Sequence, residues 1–354
     1  MYSLEDYNYD LPEYLIAQKP AIRRDQSNLM CVNRKTGVLS HHRFHQICDF
    51  MKPGDVLVVN DTAVIPGRLE GKKNTGGKVE VLISDFVGGL RSNRENGHFV
   101  SECIVKASKR PKSGTKIDFE EGLSAVVLKS GNGTQTLRFY SDSDFISLLY
   151  RIGKVPLPPY IKRVAGQAPP CNDMTSYQTV YASSVGAIAA PTAGLHFTQD
   201  LLSQLSAAGV KIVPLTLHVG YGTFLPVRVD DIRSHKMHSE RFAISEQTAE
   251  AINAARAAGK RVIAVGSTSM RTLEYVSDAK GFVKAGSGSC DLFISPGYRF
   301  KVVDSLLTNF HLPKSTLLML VSAFADPESI FRAYHEAIKR RYRFYSYGDA
   351  MFIH

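Results

Sequence analysis

The chain of 354 residues contains no tryptophan, an absence that excludes nothing by itself. Its other scarcities are more informative. Five cysteines, Cys31, Cys48, Cys103, Cys171 and Cys290, lie far apart with no CxxC pair, which argues against zinc ribbons and redox dithiols. An odd, scattered set fits reduced thiols in a cytoplasmic protein. No apolar run can span a bilayer: the most apolar stretch, Leu317 to Ala325, is too short and reads as a buried helix or strand. The opening segment MYSLEDYNYDLPEYLIAQ is acidic and lacks an apolar core, so no signal peptide is expected. There is no HExxH, and Gly286-Ser287-Gly288-Ser289 is not the GxGxxG dinucleotide fingerprint. Internal repeats and low-complexity tracts are absent.

What is present points to a soluble, basic α/β protein. Hydrophobic residues make up 44% of the chain, enough to bury real cores in one large or two ordinary domains. The formal net charge is +10, an excess that attracts polyanions, nucleic acid first among them. Val56 to Val59 is a continuous apolar run ending in Asn60-Asp61-Thr62, the pattern of a buried parallel strand that presents polar groups at its end. Residues 67–150 change character. Short alternating segments (KVEVLISDF, HFVSECIVKAS, TKIDF, SAVVLKS, TQTLRFY) alternate with turn clusters, Glu95-Asn96-Gly97 among them, and predict a small antiparallel barrel or sandwich. DFISLLYRIG and the proline-rich VPLPPYIKR then lead back to the main domain, predicted as 1–66 with 151–354. There, capped helices over 198–209 and 245–259 alternate with strands at Val210–Leu217 and Val262–Val265, predicting a largely parallel sheet. The segment from Pro327 to Asp349 reads as a basic amphipathic helix.

The stretch from Ala190 to Glu240 carries an unusual density of glycine, threonine and histidine. His196 and His218 each follow a strand signal beside glycines, Gly194 in one case and Gly220 and Gly222 in the other. Either could be a hydrogen-bonded structural residue, but two such strand ends suggest a shared cleft. His218, His235, His238 and Glu240 can be written as a metal site, yet no ligand spacing supports one, and no metal is expected. Ser267, Thr268 and Ser269 open a helix after an apolar strand, where backbone N–H groups suit a carboxylate or phosphate. Arg271 could add a bidentate contact. Thr308, Asn309, His311 and Ser315 would be costly to bury alone and predict a hydrogen-bonded network. The basic cluster Lys106, Lys109, Arg110 and Lys112 reads equally as a phosphate contact or a solvated loop.

Several long stretches resemble the S-adenosylmethionine:tRNA ribosyltransferase-isomerase family of queuosine biosynthesis. They include YDLPEYLIAQKP (9–20), GDVLVVNDTAVIPGRLEG (54–71), YQTVYA (177–182), GAIAAPTAGLHFT (186–198), LHVGYGTFLPV (217–227) and HKMHSERF (235–242). VGSTSMRTLE (265–274), FISPGYRFKVVDSLLTNFHLPKSTLLML (293–320) and YRFYSYGDAMFI (342–353) follow in order, so the resemblance spans essentially the whole chain. Two departures, Asn172 to Ser176 and Ser267-Thr268, touch local contacts.

The resemblance implies an α/β barrel-like domain interrupted by a small β-barrel. It implies transfer and isomerisation of the ribosyl part of S-adenosylmethionine onto 7-aminomethyl-7-deazaguanine at a tRNA wobble position. The products are epoxyqueuosine-tRNA, adenine and methionine. S-adenosylmethionine is a co-substrate, and tRNA is the partner of a cytoplasmic monomer. Such chemistry needs a base for the carbon beside the sulfonium and a proton donor for adenine. His196, His218 and His238 are candidates, with Glu240 as carboxylate partner. Asn60, Asp61 and Thr62 are expected to hold ribose hydroxyls or adenine. Ser267, Thr268, Ser269 and Arg271 are expected to hold the methionine carboxylate. Thr192, Gly194, Gly220, Gly222 and Thr223 complete the expected binding site. The 106–112 cluster and the 328–343 helix are candidate tRNA contacts. An RNA methyltransferase and a non-catalytic tRNA-binding protein are the competing readings.

Overall fold

The structure, a computed structural model, describes residues 2–131, 133–164 and 166–354. Its centre is the strand Val56–Asn60, all five residues of which are buried. A run apolar on both faces must be covered on both faces, and helices do this for a parallel strand. Val56–Asn60 pairs in parallel with Lys211–Leu217 on one side and Val262–Val265 on the other, and Ser305–Asn309 continues the parallel set. Glu240–Ile244 and Gly286–Cys290 extend one flank antiparallel. On the other flank Ala350–Ile353 runs antiparallel to Ser305–Asn309, Asn28–Val32 pairs in parallel with it, and Leu39–Arg43 forms the edge.

The result is a nine-stranded mixed sheet. The β-α-β alternation predicted a largely parallel one. That holds at the centre, where helices provide the crossovers, and for one flanking pair, Asn28–Val32 with Ala350–Ile353. Lys211–Leu217 is instead followed by a helix-poor excursion that brings Glu240–Ile244 back antiparallel. The predicted helices form with their expected caps: Thr198 accepts from Leu201 N at the start of Gln199–Ala207, and Ser245 from Thr248 N at the start of Glu246–Ala257. The apolar run becomes the helix Thr316–Phe324. The basic helix is shorter than predicted. It covers Pro327–Lys339, and the chain then turns, with Tyr345 at φ 68°, into the last strand.

The predicted class, α/β with an inserted antiparallel barrel, is what the chain adopts. Six strands, Arg68–Lys73, Lys78–Ile83, Val100–Ala107, Lys116–Asp118, Ser124–Ser130 and Gln135–Tyr140, close into a barrel with every pairing antiparallel. Closure belongs to this insert, while the nine-stranded sheet keeps edge strands at Gly286–Cys290 and Leu39–Arg43. Within the insert, one α-helix was not anticipated. The Glu95-Asn96-Gly97 turn is the end of a helix, Phe86–Asn96, begun by Asp85 accepting from Gly88 N at 3.0 Å. Two glycines and a weak apolar period hid it. Gly89 is there for contact, since a Cβ would stand 2.2 Å from the Phe99 ring.

Candidate active site

A cavity of about 410 Å³ opens at the carboxyl ends of the parallel strands. Val219 lies just past Lys211–Leu217, Gly266-Ser267-Thr268 just past Val262–Val265, and Thr308 and Asn309 end the third strand. This is where open α/β sheets hold ligands. Residues 189–193, Leu225 to Val227 and the run from Phe310 to Leu317 supply further walls, with Tyr160, Tyr177 and Tyr345 contributing rings.

Gly266 makes the strand-to-helix turn at φ 86°, a conformation that favours glycine. The helix Gly266–Val276 has no side-chain cap on its first turn. Its leading N–H groups therefore suit an anion. Of the residues expected here, Ser267 and Thr268 line the cavity. Ser269 does not: it is fully buried and donates to Val265 O at 2.8 Å. Arg271 does not line it either. It pairs with Glu240 at 2.6 Å, both side chains 5% exposed, and donates from Nε to Leu292 O. Sequence spacing could not reveal that these two expected site residues are each other's partners.

Asn60 lies behind the wall. Its Nδ2 donates to Leu217 O at 3.0 Å and to Thr268 Oγ1 at 3.2 Å, while Oδ1 accepts from Leu217 N and Thr62 N. The amide thus replaces backbone pairing where the central ladder ends. The Asp61 carboxylate accepts from the hydroxyls of Thr216, Ser183 and Ser184, fixing the short parallel pair Thr62–Val64 and Ser184–Ala187. Thr62 Oγ1 meets His218 Nδ1 at 2.8 Å. Neither Asp61 nor Thr62 lines the cavity.

The four histidines separate. His196 is buried, stacked on Phe44 at 4.9 Å, with Nδ1 2.7 Å from Ser27 Oγ and Nε2 3.2 Å from Asn309 Nδ2. Burial, helped by the charges of Arg343 and Arg24, pushes its pKa down to about 3. His218 is half-buried, and burial lowers its pKa despite the opposing Asp61 charge, with Arg241 adding to the lowering. His238 is exposed and rests against Gly222, where a Cβ would stand 2.5 Å from the imidazole. His235 packs edge-on against Phe293, and burial and then the His238 charge lower its pKa. A single cleft shared by His196 and His218, as expected, is not what the fold builds, and neither lines the cavity.

Other expected residues are accounted for by contact. Gly194 admits the Tyr181 hydroxyl, 2.0 Å from where a Cβ would be. Gly220 N donates to Glu240 Oε1 at 3.0 Å, and Thr223, which lines the cavity, reaches the same oxygen at 3.4 Å. Thr192 lines the cavity and donates to Asn309 Oδ1 at 3.0 Å. Asn309 and His311 were expected in a hydrogen-bonded network, either structural or at a site, and both line the cavity. The strand-end rule that singled out Asn60 applies equally to Leu306-Leu307-Thr308-Asn309 and could have found them. His311 Nε2 meets Thr308 Oγ1 at 2.8 Å, and burial pushes its pKa down to about 3.

Among the described residues, no three of His, Cys, Asp and Glu are grouped to hold a metal ion, and no helix is long and apolar enough to cross a membrane. A wider crevice of about 1200 Å³ runs between the barrel and residues 153–174. Its cations are paired: Arg68 and Lys106 with Glu80, Lys154 with Glu70, Lys162 with Glu13 and Arg163 with Asp173.

A cavity at the carboxyl ends of parallel strands, walled by an uncapped helix start and by rings, defines a small-molecule-binding α/β enzyme. The family model for the queuosine biosynthesis protein matches residues 4–353, and the chain belongs to that family. It is 51% identical to a relative from Syntrophotalea carbinolica and 52% identical to one from Geotalea uraniireducens, over 99% of each chain. Both are named S-adenosylmethionine:tRNA ribosyltransferase-isomerase. The crystal structure of the S-adenosylmethionine tRNA ribosyltransferase from Thermotoga maritima is similar, with 35% identity and a TM-score of 0.55 over 99% of this chain and 100% of that one.

Proposed function

We propose that this chain is an S-adenosylmethionine-dependent tRNA ribosyltransferase-isomerase, placing the ribosyl part of S-adenosylmethionine on a 7-aminomethyl-7-deazaguanine at the tRNA wobble position. The observation that carries the reading is identity of about half the residues, end to end, with relatives of that name. The cavity fits the co-substrate. Its volume of about 410 Å³ falls in the range of small-molecule sites. The first-turn N–H groups at Ser267 and Thr268 suit a carboxylate, and the rings of Tyr160, Tyr177 and Tyr345 suit a sulfonium or a purine. When bound, S-adenosylmethionine supplies the ribosyl group and, through its sulfonium, acidity at the adjacent carbon.

The chain's own residues then bind and orient. Ser267 and Thr268 hold the carboxylate, Thr192 and Thr223 meet polar groups, and the Glu240–Arg271 pair fixes the loop that carries Thr223. His218 and His238, both reached by solvent, keep the proton-handling role suggested by type. The excess of ten positive charges supports a tRNA partner, met by an anticodon loop whose unpaired bases can be splayed into a site. Lys109, Lys112, Lys339 and Arg341 are exposed on the two basic segments proposed to contact it. The division into 1–66 with 151–354 and an insert at 67–150 is proposed as the domain organisation. Five free cysteines support a cytoplasmic setting, and scattered exposed apolar residues support a monomer.

The test is incubation with S-adenosylmethionine and tRNA carrying the precursor base, followed by nucleoside mass spectrometry. Epoxyqueuosine in the digest, with adenine and methionine released, is expected. Release of S-adenosylhomocysteine would indicate a methyltransferase, and RNA binding without turnover a passive binder. Either result overturns the proposal.

A further inference from the structure

The buried His196 has a job that its distance from the cavity conceals. It belongs to a hydrogen-bonded chain of four side chains, Ser27, His196, Asn309 and Thr192, which ends at the cavity wall. The direction of every bond is determined, because the chain is anchored at two backbone carbonyls that can only accept. Asn309 sends Nδ2 to Tyr345 O at 3.2 Å, which identifies that atom as the nitrogen and leaves Oδ1 facing Thr192. The second Nδ2 proton points at His196 Nε2, so Nε2 must accept. The imidazole proton is then on Nδ1 and is donated to Ser27 Oγ. Ser27 passes its own proton to Arg24 O at 3.2 Å.

The far end of the chain matters for binding. The Thr192 hydroxyl proton is committed to Asn309 Oδ1, so this hydroxyl offers the cavity lone pairs only. An isolated threonine would rotate to donate or accept as a ligand required. We propose that Thr192 is a hydrogen-bond acceptor of fixed polarity in the cavity, selecting a hydroxyl or ammonium donor on the nucleoside co-substrate, and that His196 is a positioning residue that, together with the Tyr345 carbonyl, holds Asn309 in the orientation fixing this polarity. The ligand half of the inference rests on the function proposed above, whereas the relay itself does not.

Two features keep the relay in one state. His196 stacks on Phe44, which fixes the ring plane. Burial among Arg24 and Arg343 holds its pKa near 3, so the ring stays neutral and Nε2 stays free to accept across the working pH range. Protonation would place a donor against the Asn309 donor and break the chain.

The test has two arms. In the protein without ligand, ¹⁵N-resolved NMR of the His196 ring should show the Nδ1–H tautomer, unchanged between pH 5 and pH 8. Asn309→Asp, whose carboxylate can only accept, should shift the ring toward an Nε2–H form. An Nε2–H tautomer in the wild type, or titration within that range, overturns the relay whatever the enzyme does. In the second arm, S-adenosylmethionine binding is measured by calorimetry. Thr192→Val should weaken it roughly three- to thirtyfold, the loss of one hydrogen bond, while Thr192→Ser restores it. Equal affinity for Thr192→Val and wild type overturns the acceptor assignment. A wild-type protein that binds no S-adenosylmethionine overturns the proposed function and the ligand half together, and leaves the tautomer result to decide the relay.

Discussion

Within the inserted barrel, Phe86, Phe99, Phe139 and Phe145 pack ring on ring at centroid separations of 4.2 to 5.8 Å. The buried polar side chains on its strands are Ser101 and Gln135, each bonded to a backbone carbonyl. The carboxyl end of the nine-stranded sheet is built differently. Asn60, Asn309, His196, His311, Glu240 and Arg271 are all buried there, with partners on several elements. Farther along the same helix, the buried Glu274 accepts from the backbone of Lys301, Val302 and Val303. A polar group is costly to bury unless bonded, and a bonded network fixes geometry more sharply than apolar packing does. The barrel is organised for shape, and the sheet end for placing particular atoms.

The largest expected effects set these two regions against each other. Glu240→Ala strands the buried Arg271 charge and should cost about 3–5 kcal/mol. It also releases Gly220 and Thr223, so kcat/KM of the folded protein should fall on the order of a hundredfold, the size expected from a displaced site element. Phe99→Ala should cost a similar ~3–5 kcal/mol by opening the barrel core, yet leave kcat/KM per folded molecule near wild type. Urea unfolding and steady-state kinetics on both variants decide this. Equal loss of activity in the two would end the distinction.

A comparable effect comes from acid. His196 and His311 have folded pKa values of about 3, against about 6.5 in an unfolded chain. Between these limits the unfolded state holds protons that the native state refuses, so stability rises with pH. This contribution is complete above about pH 6.5 and shrinks by roughly 1.4 kcal/mol per histidine for each pH unit below it. No histidine belongs to the barrel's core cluster. Hydrogen exchange at pH 5 against pH 7 should therefore show protection falling at Ser305–Asn309 before Lys78–Ile83. Loss of protection in both strands together would blur the contrast. The smallest effect is expected at an exposed ion pair between a barrel strand and the chain that leaves the barrel. The Lys154–Glu70 pair, half exposed at 2.8 Å, should contribute under about 1 kcal/mol, seen as a nearly unchanged urea midpoint for Lys154→Ala.

The apolar runs and caps made most of this fold legible in advance. Val56–Asn60, Val262–Val265 and the Thr198 and Ser245 helices stand where period and capping chemistry put them. The helix Phe86–Asn96 escaped because Gly89 serves a tertiary contact with Phe99, and Gly88 the close approach of the capping Asp85 carboxylate, which local propensity does not register. At the cavity, strand-end polarity singled out Ser267 and Thr268, which line it, as does Thr192. The same reading took in Asp61 and Arg271, whose partners are close in space and distant in sequence, and Ser269, whose hydroxyl turns back to Val265 O; none of the three lines the cavity. Residue type could mark His196 as unusual. Only its neighbours reveal which of its nitrogens carries the proton.

The position of Ala350–Ile353 between Ser305–Asn309 and Asn28–Val32 bears on how the protein is made. A chain emerging from the ribosome has all six barrel strands once Tyr140 is out, so the insert can close while synthesis continues. The nine-stranded sheet cannot. Asn28–Val32, among the first strands to appear, waits for one neighbour until Ile353 has been added, holding open a row of unpaired amides and carbonyls throughout. The interval before Ala350–Ile353 arrives is when this edge is most open to mispairing, and it lengthens with every pause in translation.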